Sequence, residues 1–242
     1  MLFSPQLPLQ LEPSREQGFA NFVPGPNAPI IASLRSSLDE ESAQVYLCGP
    51  PGSGKTHLLN ALCLEARQRG MTAFYAGLKH LPADAHALLD GLEHVDLLCV
   101  DDIQQVAGQA AWEEALFHAI NRLRARGGRW VVAGEPRLSA LPLGLPDLAS
   151  RLQWGLRLSL QTLSDSEKGE VLQRHAAALG IALPEEVRNY LLRRSTRHLA
   201  ELVRLLEAMQ QAAFTGKRRI TVPLAREVIA RFDRQHEDPG SV

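Results

Sequence analysis

The chain has 242 residues, a formal net charge of −1 at pH 7 and an apolar content of 45%. This length accommodates one medium α/β unit and a smaller appended one, whose cores need neither disulfides nor a structural metal. The near-zero net charge excludes a general polyanion binder, although basic residues are concentrated between Arg188 and Arg234. The three cysteines and eight histidines lack metal-ligand spacing. With neither a leader sequence nor an apolar run long enough for a membrane span, we expect a cytoplasmic protein without membrane association.

Short strand-like runs alternate with amphipathic helices from residue 19 to residue 162, after a Pro-rich, aperiodic tail at 1–18. Apolar β-type runs predict strands at 45–49, 72–76, 96–101, 130–134 and 156–160. Helical periodicity predicts helices at 30–38, 57–69, 83–92 and 112–126. This alternation is typical of an α/β fold in which a parallel sheet is flanked by helices on both faces.

The pattern changes at residue 163, where strand signals give way to helices. Ser164 and Glu167 have the spacing of a capping box that opens a helix, and Gly180 ends that helix. Further helices are predicted at 184–194, 196–214 and 223–232, with one strand-like run among them at 220–222. We therefore expect an all-helical domain at 163–235 and a polar tail at 236–242.

The run from Gly49 to Thr56 has the complete phosphate-loop pattern G-x-x-x-x-G-K-[ST], between a predicted strand and a predicted helix. Glycines let such a loop fold tightly, so that successive backbone N–H groups converge on phosphate oxygens. We expect Lys55 to reach the β- and γ-phosphates and the Thr56 hydroxyl to ligate Mg²⁺. The alternative is an ordinary glycine turn. The predicted nucleotide-binding residues here are Gly49, Pro50, Pro51, Gly52, Ser53, Gly54, Lys55, Thr56 and His57.

Two carboxylates follow the most strand-like apolar run, LLCV at 97–100. Asp101 is expected to hold Mg²⁺, and Asp102 to orient or activate the attacking water, which makes Asp102 a candidate catalytic residue. The alternative is a strand that merely ends in acidic residues. Because a complete phosphate loop lies upstream, the pair predicts nucleotide binding and leaves turnover open.

Together, the phosphate loop, the acidic strand, the helical C-terminal domain and several arginines resemble those of AAA+ ATPases. Residues 19–27 (FANFVPGPN) and 97–104 (LLCVDDIQ) resemble the replication initiator DnaA and its relatives. The run LGLPDLASRL at 143–152, followed by Trp154 and Gly155, resembles the Hda family of DnaA-related regulators. The resemblance extends over about 6–232 and implies an AAA+ base followed by a C-terminal helical lid.

This resemblance implies roles for residues at matching positions. Phe22 and Val23 would lie beside the adenine base, with ADP or ATP and Mg²⁺ as ligands. Arg151 would act as an arginine finger that reaches a neighbouring subunit's nucleotide, and Arg197 would be the nucleotide sensor of the lid. The alternatives are solvated surface arginines. Glu135 lies where relatives usually have an Asp, which leaves the identity of the polar sensor at this strand end open.

The N-terminal run QLPLQL at 6–11 resembles the hexapeptide by which replication proteins dock on the DNA sliding clamp. Gln6 would make polar contacts at the rim of the clamp groove, while Leu7, Leu9 and Leu11 supply apolar anchors. The alternative is an apolar segment that packs on its own domain.

The resemblance implies a regulator of chromosome replication that carries out the regulatory inactivation of DnaA. Tethered to the sliding clamp, it would stimulate hydrolysis of ATP bound to DnaA, which leaves inactive ADP-bound initiator and prevents re-initiation. Its own ATPase would be weak or absent, and it would meet DNA mainly indirectly, at the nucleoid, through the clamp. After Phe232 only a polar tail remains, so we expect no helix-turn-helix domain that reads DNA sequence.

Two other functions fit the same residues. One is an autonomous ATPase of the helicase-loader type, which Asp101 and Asp102 permit. The other is a non-catalytic adaptor between clamp and initiator, whose phosphate loop only stabilises the fold. Homo-oligomerisation, nucleotide preference and direct DNA binding by the basic lid stay open at this point.

Overall fold

A computed structural model describes residues 18–82, 84–136, 138–194 and 199–236. The chain divides into two units at the boundary between Thr162 and Leu163. A parallel sheet with its covering helices forms the first unit, and helices form the second. The predicted tail up to residue 17, including the clamp-binding hexapeptide at 6–11, lies outside the described residues.

The sheet of the first unit has five parallel strands, which confirms the α/β prediction. These strands are β1 (Gln44–Cys48), β2 (Ala73–Gly77), β3 (Leu97–Asp101), β4 (Arg129–Gly134) and β5 (Leu156–Ser159). Their order across the sheet is β2-β3-β4-β1-β5. The carboxyl ends of parallel strands share one edge, so the loop after β1 and the carboxylates after β3 lie at the same edge, on either side of β4.

Helices cover both faces of this sheet. On one face lie α1 (Ala28–Ser36) and α2 (Lys55–Gln68), whose leucines pack against β1 and β3. On the other face lie α3 (Ala110–Ala125) and α4 (Pro146–Trp154). The buried apolar surface of both layers supplies the main stabilisation of the unit.

Because the sheet is buried on both sides, alternate residues of each strand enter different cores. In β3, Leu97 and Cys99 pack with the residues of α1 and α2, whereas Leu98 and Val100 pack with those of α3 and α4. Asp101 continues the first series and is only 1% exposed. The two-residue period of the strand thus aims the carboxylate of Asp101 at the layer that contains α2.

One local prediction for the first unit is wrong. Instead of a helix at 83–92, the chain forms two 3₁₀ turns, Ala85–Leu89 and Leu92–His94, with residue 83 outside the described residues. Gly91 lies between the turns with φ of 81°, in the left-handed region. A right-handed helix cannot continue through that conformation, so the apolar residues of this segment reach the core from separate turns.

The second unit is all helical in its described residues, as predicted, with α5 (Asp165–Ala178), α6 (Glu185–Arg194), α7 (Leu199–Gly216) and α8 (Val222–His236). The predicted capping box is confirmed, because Ser164 Oγ accepts the Glu167 N–H at 3.3 Å and Glu167 Oε2 accepts the Ser164 N–H at 2.7 Å. The strand-like run at 220–222 forms no strand in the described chain: Ile220 is buried among the helices, and α8 begins at Val222.

None of the helices in the described part of the chain combines the length and the apolar content needed to cross a bilayer. The three cysteines, Cys48, Cys63 and Cys99, are free thiols that are fully buried in the first unit. They act there as small apolar side chains.

Candidate nucleotide-binding site

The loop between β1 and α2 has a backbone that favours glycine at two positions. Gly52 has φ of 75° and Gly54 has φ of 96°, both in the left-handed region. A Cβ atom at Gly54 would lie 2.7 Å from Cε2 of Phe22, well inside van der Waals contact. Gly54 is therefore required both by its backbone conformation and by the close approach of Phe22.

The Ser53 hydroxyl lies at the base of the same loop. Its Oγ is buried and has no hydrogen-bond partner among the described residues. A Cβ at Gly49 would lie 2.7 Å from this oxygen, so the strand end leaves room for it only because it is glycine. Since the first N–H groups of α2 also lack intrahelical acceptors, the loop offers a set of unpaired donors that fits a phosphate.

The ammonium group of Lys55, the first residue of α2, folds back on the loop. Its Nζ donates to the carbonyl oxygen of Gly49 at 2.7 Å and to that of Pro50 at 3.2 Å. Burial lowers the pKa of Lys55, and the carboxylates of Asp101 and Asp102 partly offset that shift. The cation thus lies within the field of the two strand-end carboxylates, and its role in binding phosphate stays a prediction.

Asp101 joins the end of β3 to the first turn of α2. Its Oδ2 accepts hydrogen bonds from Thr56 Oγ1 at 2.6 Å and from the Tyr75 hydroxyl at 3.1 Å. Burial raises the pKa of Asp101, while the hydrogen bond from Thr56 acts in the opposite direction. Burial likewise raises the pKa of Tyr75, so this phenol stays a hydrogen-bond donor to the carboxylate.

These oxygens fit the ligand preference of a hard divalent cation. Mg²⁺ favours one or two protein oxygens together with water and phosphate oxygens, and Thr56 and Asp101 supply a hydroxyl and a carboxylate side by side. Within the residues that the structure describes, no group of three or more His, Cys, Asp or Glu side chains could hold a metal ion. A cation at Asp101 would therefore depend on phosphate and water for most of its ligands.

Asp102 leaves the strand in an unusual conformation, with φ of 59° and ψ of 46°. This left-handed geometry costs a non-glycine residue about 1 kcal/mol. Two contacts hold it: the Asp102 N–H donates to Asp101 Oδ1 at 3.0 Å, and Gln104 Nε2 donates to Asp102 Oδ1 at 2.8 Å. The strained turn places a half-buried second carboxylate directly beside the Asp101 carboxylate.

The predicted adenine-side residues lie on the other flank of the loop. Phe22 and Val23 are both buried, and the Phe22 ring meets the His57 imidazole edge-on at a centroid distance of 5.2 Å. The His57 Nε2 atom is 3.0 Å from the Gly18 carbonyl oxygen, and burial lowers the pKa of this imidazole. Phe22 and His57 are thus brought together beside Gly54.

A side-chain amide holds this N-terminal segment against the end of the sheet. Asn27 is fully buried, its Nδ2 donates to the Gln161 carbonyl at 3.1 Å, and its Oδ1 accepts the Gln161 N–H at 2.8 Å. The Asn27 amide thus pairs with both the N–H and the carbonyl of Gln161, as the backbone of an adjacent strand would do.

Arg151 lies in a separate neighbourhood, in the last turn of α4. Its guanidinium carbon is 4.6 Å from the centre of the Trp154 ring. Its Nη1 is buried and has no hydrogen-bond partner among the described residues. Arg197 lies outside the described residues, so its predicted role as a lid sensor stays a prediction.

A buried carboxylate fixes the start of α4. Glu113 in α3 is 1% exposed, and its carboxylate accepts three backbone N–H groups, from Gly108 at 2.6 Å, Gly144 at 3.1 Å and Leu145 at 2.6 Å. The same side chain thereby holds the turn after β3 and the segment that leads into the helix of Arg151. Three charge-assisted hydrogen bonds compensate for its burial.

The sequence does not identify three residues of these two sites, Tyr75, Glu113 and Trp154. Tyr75 lies two residues before the end of β2 and opposite Cys99, which places it on the face that also carries Asp101. Strand period and register could have identified it, but register is not visible in one sequence. Nothing in the sequence distinguishes Glu113 from its exposed neighbour, and Trp154 lies in a recognised motif without an assigned contact.

The position of Glu135 does not match that of a buried polar sensor. The residue follows β4 and is exposed, while its backbone carbonyl accepts the Tyr46 hydroxyl at 3.0 Å. Its carboxylate does contribute to the field at Lys55, after those of Asp101 and Asp102. The prediction of a sensor here thus stays open.

Solved structures share this architecture at low sequence identity. Domain III of the Thermotoga maritima replication initiation protein DnaA aligns with 90% of this chain and 98% of its own, at 22% identity and a TM-score of 0.80. AMPPCP-bound DnaA from Aquifex aeolicus aligns with 93% of this chain and 71% of its own, at 22% identity and a TM-score of 0.70. The Thermotoga maritima RuvB Holliday junction branch migration motor aligns with 84% of this chain and 68% of its own, at 23% identity and a TM-score of 0.63. These likenesses establish the AAA+ fold.

Two family descriptions match consecutive parts of the sequence. The bacterial DnaA ATPase domain matches residues 14–159. The lid domain of Hda matches residues 165–229. The first match covers more than half of the chain and contains the phosphate loop and the acidic strand, and the second covers helices α5 to α7 and the first half of α8. With a DnaA-type ATPase domain followed by an Hda lid, the chain belongs to the Hda family of DnaA-related AAA+ proteins.

Proposed function

We propose that this chain is a clamp-tethered regulator of replication initiation that stimulates hydrolysis of the ATP bound to the initiator DnaA. The observation that carries the proposal is the succession of a DnaA-type ATPase domain and an Hda lid in one chain. This combination is that of a DnaA-related replication regulator. The finer statements, namely clamp tethering and inactivation of the initiator, rest on the site and on the sequence of the tail.

The phosphate loop binds ADP or ATP with Mg²⁺ in this proposal. Lys55, the Ser53 hydroxyl and the N-terminus of α2 would face the phosphates. Thr56 and Asp101 would hold the cation, and Phe22 and Val23 would lie beside the adenine. The fold neighbour from Aquifex aeolicus was solved with AMPPCP, a nucleoside triphosphate analogue. A bound nucleotide would supply phosphate oxygens that accept hydrogen bonds from the Ser53 hydroxyl and from the backbone N–H groups of the loop.

Arg151 acts in trans in this proposal. Its guanidinium would enter the nucleotide site of ATP-bound DnaA and stabilise the charge that develops on the transferring phosphoryl group. Two observations support this role: the Arg151 guanidinium lies over the Trp154 ring, and its buried Nη1 has no hydrogen-bond partner among the described residues. The product is inactive ADP-bound initiator, while Asp102 would give the chain itself at most slow turnover.

The tail at 6–11 binds the sliding clamp in this proposal, with Gln6 at the rim and Leu7, Leu9 and Leu11 as anchors. Such a tether raises the local concentration of Arg151 near clamp-bound DNA, where the initiator is found. Arg197 in the lid would sense the chain's own nucleotide, and DNA would be met mainly through the clamp.

The test is hydrolysis of radiolabelled ATP bound to the initiator, with DNA-loaded clamp and increasing amounts of the full chain. We expect stimulation that disappears in Arg151→Ala and falls strongly in a Leu7→Ala/Leu9→Ala double variant. Arg219→Ala, which removes an exposed arginine of the second unit, is the matched control and should retain full stimulation.

Each alternative function predicts a different result. DNA-stimulated ATP turnover by the chain alone, without effect on the initiator, would favour a helicase loader. Stimulation that survives Arg151→Ala would favour an adaptor that acts without an arginine finger. Absence of stimulation by the wild-type chain, despite nucleotide and clamp binding, would disprove the proposed regulator.

A further inference from the structure

Trp154 is a large apolar side chain that the fold leaves in the open. It is 63% exposed, whereas the other two tryptophans, Trp112 and Trp130, are at most 1% exposed. Leu156, two residues later, is 53% exposed. An exposed tryptophan beside another exposed apolar residue contributes little to the chain's own core, so its function should be sought at the surface.

Two arginines contact this indole. The guanidinium carbon of Arg151 is 4.6 Å from the ring centre, and that of Arg124 in α3 is 5.8 Å from it. Arg151 and Trp154 are three residues apart in α4 and therefore share one face of the helix. A guanidinium group over an aromatic face at this distance is attracted to the ring by the cation–π interaction.

The backbone that carries Trp154 is held by its surroundings. A Cβ at Gly155 would lie 2.7 Å from the Gln44 carbonyl oxygen, so the chain leaves α4 in direct contact with the start of β1. Leu148 and Leu152 anchor the buried side of α4. The helix backbone is thus anchored, and Trp154 presents its indole face to the longer and more flexible side chain of Arg151.

We propose that Trp154 is a positioning residue that holds the Arg151 guanidinium in the orientation needed to reach a partner's nucleotide. This inference rests on the proposed function of Arg151. An arginine side chain has many rotamers, and ordering it at the moment of contact would cost free energy that the transition state must recover. A stack formed beforehand lowers that cost, so the loss of Trp154 affects the rate of the bound complex more than its formation.

The experiment measures stimulated hydrolysis of initiator-bound ATP on DNA-loaded clamp, at increasing concentrations of full-length variants. Trp154→Ala should lower the maximal rate about tenfold while leaving the concentration for half-maximal stimulation nearly unchanged. Trp154→Phe keeps an aromatic face and should restore most of the maximal rate. Leu156→Ala removes exposed apolar surface without touching the stack and should retain the wild-type maximum.

The outcomes separate this inference from the proposed function. If the wild-type chain fails to stimulate, or if Arg151→Ala stimulates as well as the wild type, the proposed role of Arg151 is wrong and the inference falls with it. If Arg151→Ala is inactive but Trp154→Ala keeps the full maximal rate, only the inference is wrong. An increase in the half-maximal concentration alone, in both Trp154→Ala and Leu156→Ala, would make Trp154 an ordinary contact residue and would also overturn the inference.

A spectroscopic readout tests the stack without any partner. In the full chain labelled with 5-fluorotryptophan, the ¹⁹F spectrum should contain three resonances, and Trp154→Phe assigns the exposed one. Arg151→Ala should shift the Trp154 resonance and leave those of Trp112 and Trp130 in place. A Trp154 resonance that does not respond to Arg151→Ala would show that the two side chains do not interact in solution.

Discussion

Thr56 Oγ1 donates a 2.6 Å hydrogen bond to Asp101 Oδ2 and thereby joins the first turn of α2 to the end of β3. Helix α2 follows β1 along the chain, and β1 and β3 are not neighbours, because β4 lies between them in the sheet. The hydroxyl of Thr56 and the carboxylate of Asp101 are therefore brought together by the geometry of the sheet edge.

We expect Thr56→Val to remove the Mg²⁺ dependence of nucleotide affinity, because the variant keeps the shape of the side chain and loses its oxygen. It should also lower the free energy of unfolding by about 1 to 2 kcal/mol, since buried Asp101 loses a hydrogen-bond partner. The measurements are fluorescent-ADP titration with and without Mg²⁺ and urea unfolding followed by tryptophan fluorescence. Thr56→Ser is the control that retains the hydroxyl, and unchanged Mg²⁺ dependence in Thr56→Val would contradict the assignment.

Gly54→Ala tests the close approach of Phe22. Adding a Cβ should cost about 2 to 4 kcal/mol, from the left-handed backbone together with overpacking against the Phe22 ring, and should weaken nucleotide binding. Gly70→Ala is a matched control, because Gly70 has φ of 79° with no atom within 4 Å of the added Cβ. It should lose about 1 kcal/mol, with wild-type nucleotide affinity. Equal losses in the two variants would show that the contact with Phe22 is unimportant.

Glu113→Gln tests the carboxylate that holds the start of α4. The amide nitrogen of Gln would face a backbone N–H, so one of the three hydrogen bonds becomes a donor–donor contact. We expect a loss of about 2 to 3 kcal/mol in urea unfolding. Glu114→Gln changes the exposed neighbouring carboxylate and should leave stability within experimental error. Similar unfolding curves for both variants would argue against a structural role for Glu113.

His57 should make the stability of the first unit depend on pH. Burial lowers its pKa from the ordinary 6.5, so the unfolded chain takes up this proton at a higher pH than the folded protein does. The free energy of unfolding should therefore fall as the pH drops below about 6.5, by at most about 1.4 kcal/mol per pH unit. His57→Gln, which keeps an N–H donor, should remove that component between pH 7 and pH 5.5. The exposed His80 provides the control His80→Gln, and a slope that is the same in His57→Gln and the wild type would refute the prediction.

The sequence identifies the sheet unit well because its signals are local. Apolar β-type runs locate all five strands, and the glycines and Lys55 reveal the phosphate loop without any knowledge of the fold. The strands are apolar on both faces, however, so periodicity alone cannot tell which residues face α2. The hydrogen bond from Tyr75 to Asp101 depends on that choice of face and on register, both of which are set by long-range packing.

Helix α4 shows a second limit of single-sequence prediction. Its nine residues include two buried ones, Leu148 and Leu152, and an apolar run this short does not distinguish a helix from other structures. Pro146 near its start fits the first turn of a helix but is equally common in loops. The motif in this helix indicates Arg151 as functional, whereas its contacts with Trp154 and the support from Glu113 appear only in three dimensions.

The positions of the three cysteines allow opening of the first unit to be measured through thiol reactivity. Cys48, Cys63 and Cys99 are inaccessible and all belong to the first unit, while the sequence after Thr162 contains no cysteine. A thiol-specific chromophoric reagent added in native buffer can therefore react only when the sheet unit opens, and its rate reports the free energy of that opening. We expect bound nucleotide to slow this reaction. If a substitution in the helical unit alters the size of that effect, the reaction rates will have measured the energetic coupling between the two units without an attached label.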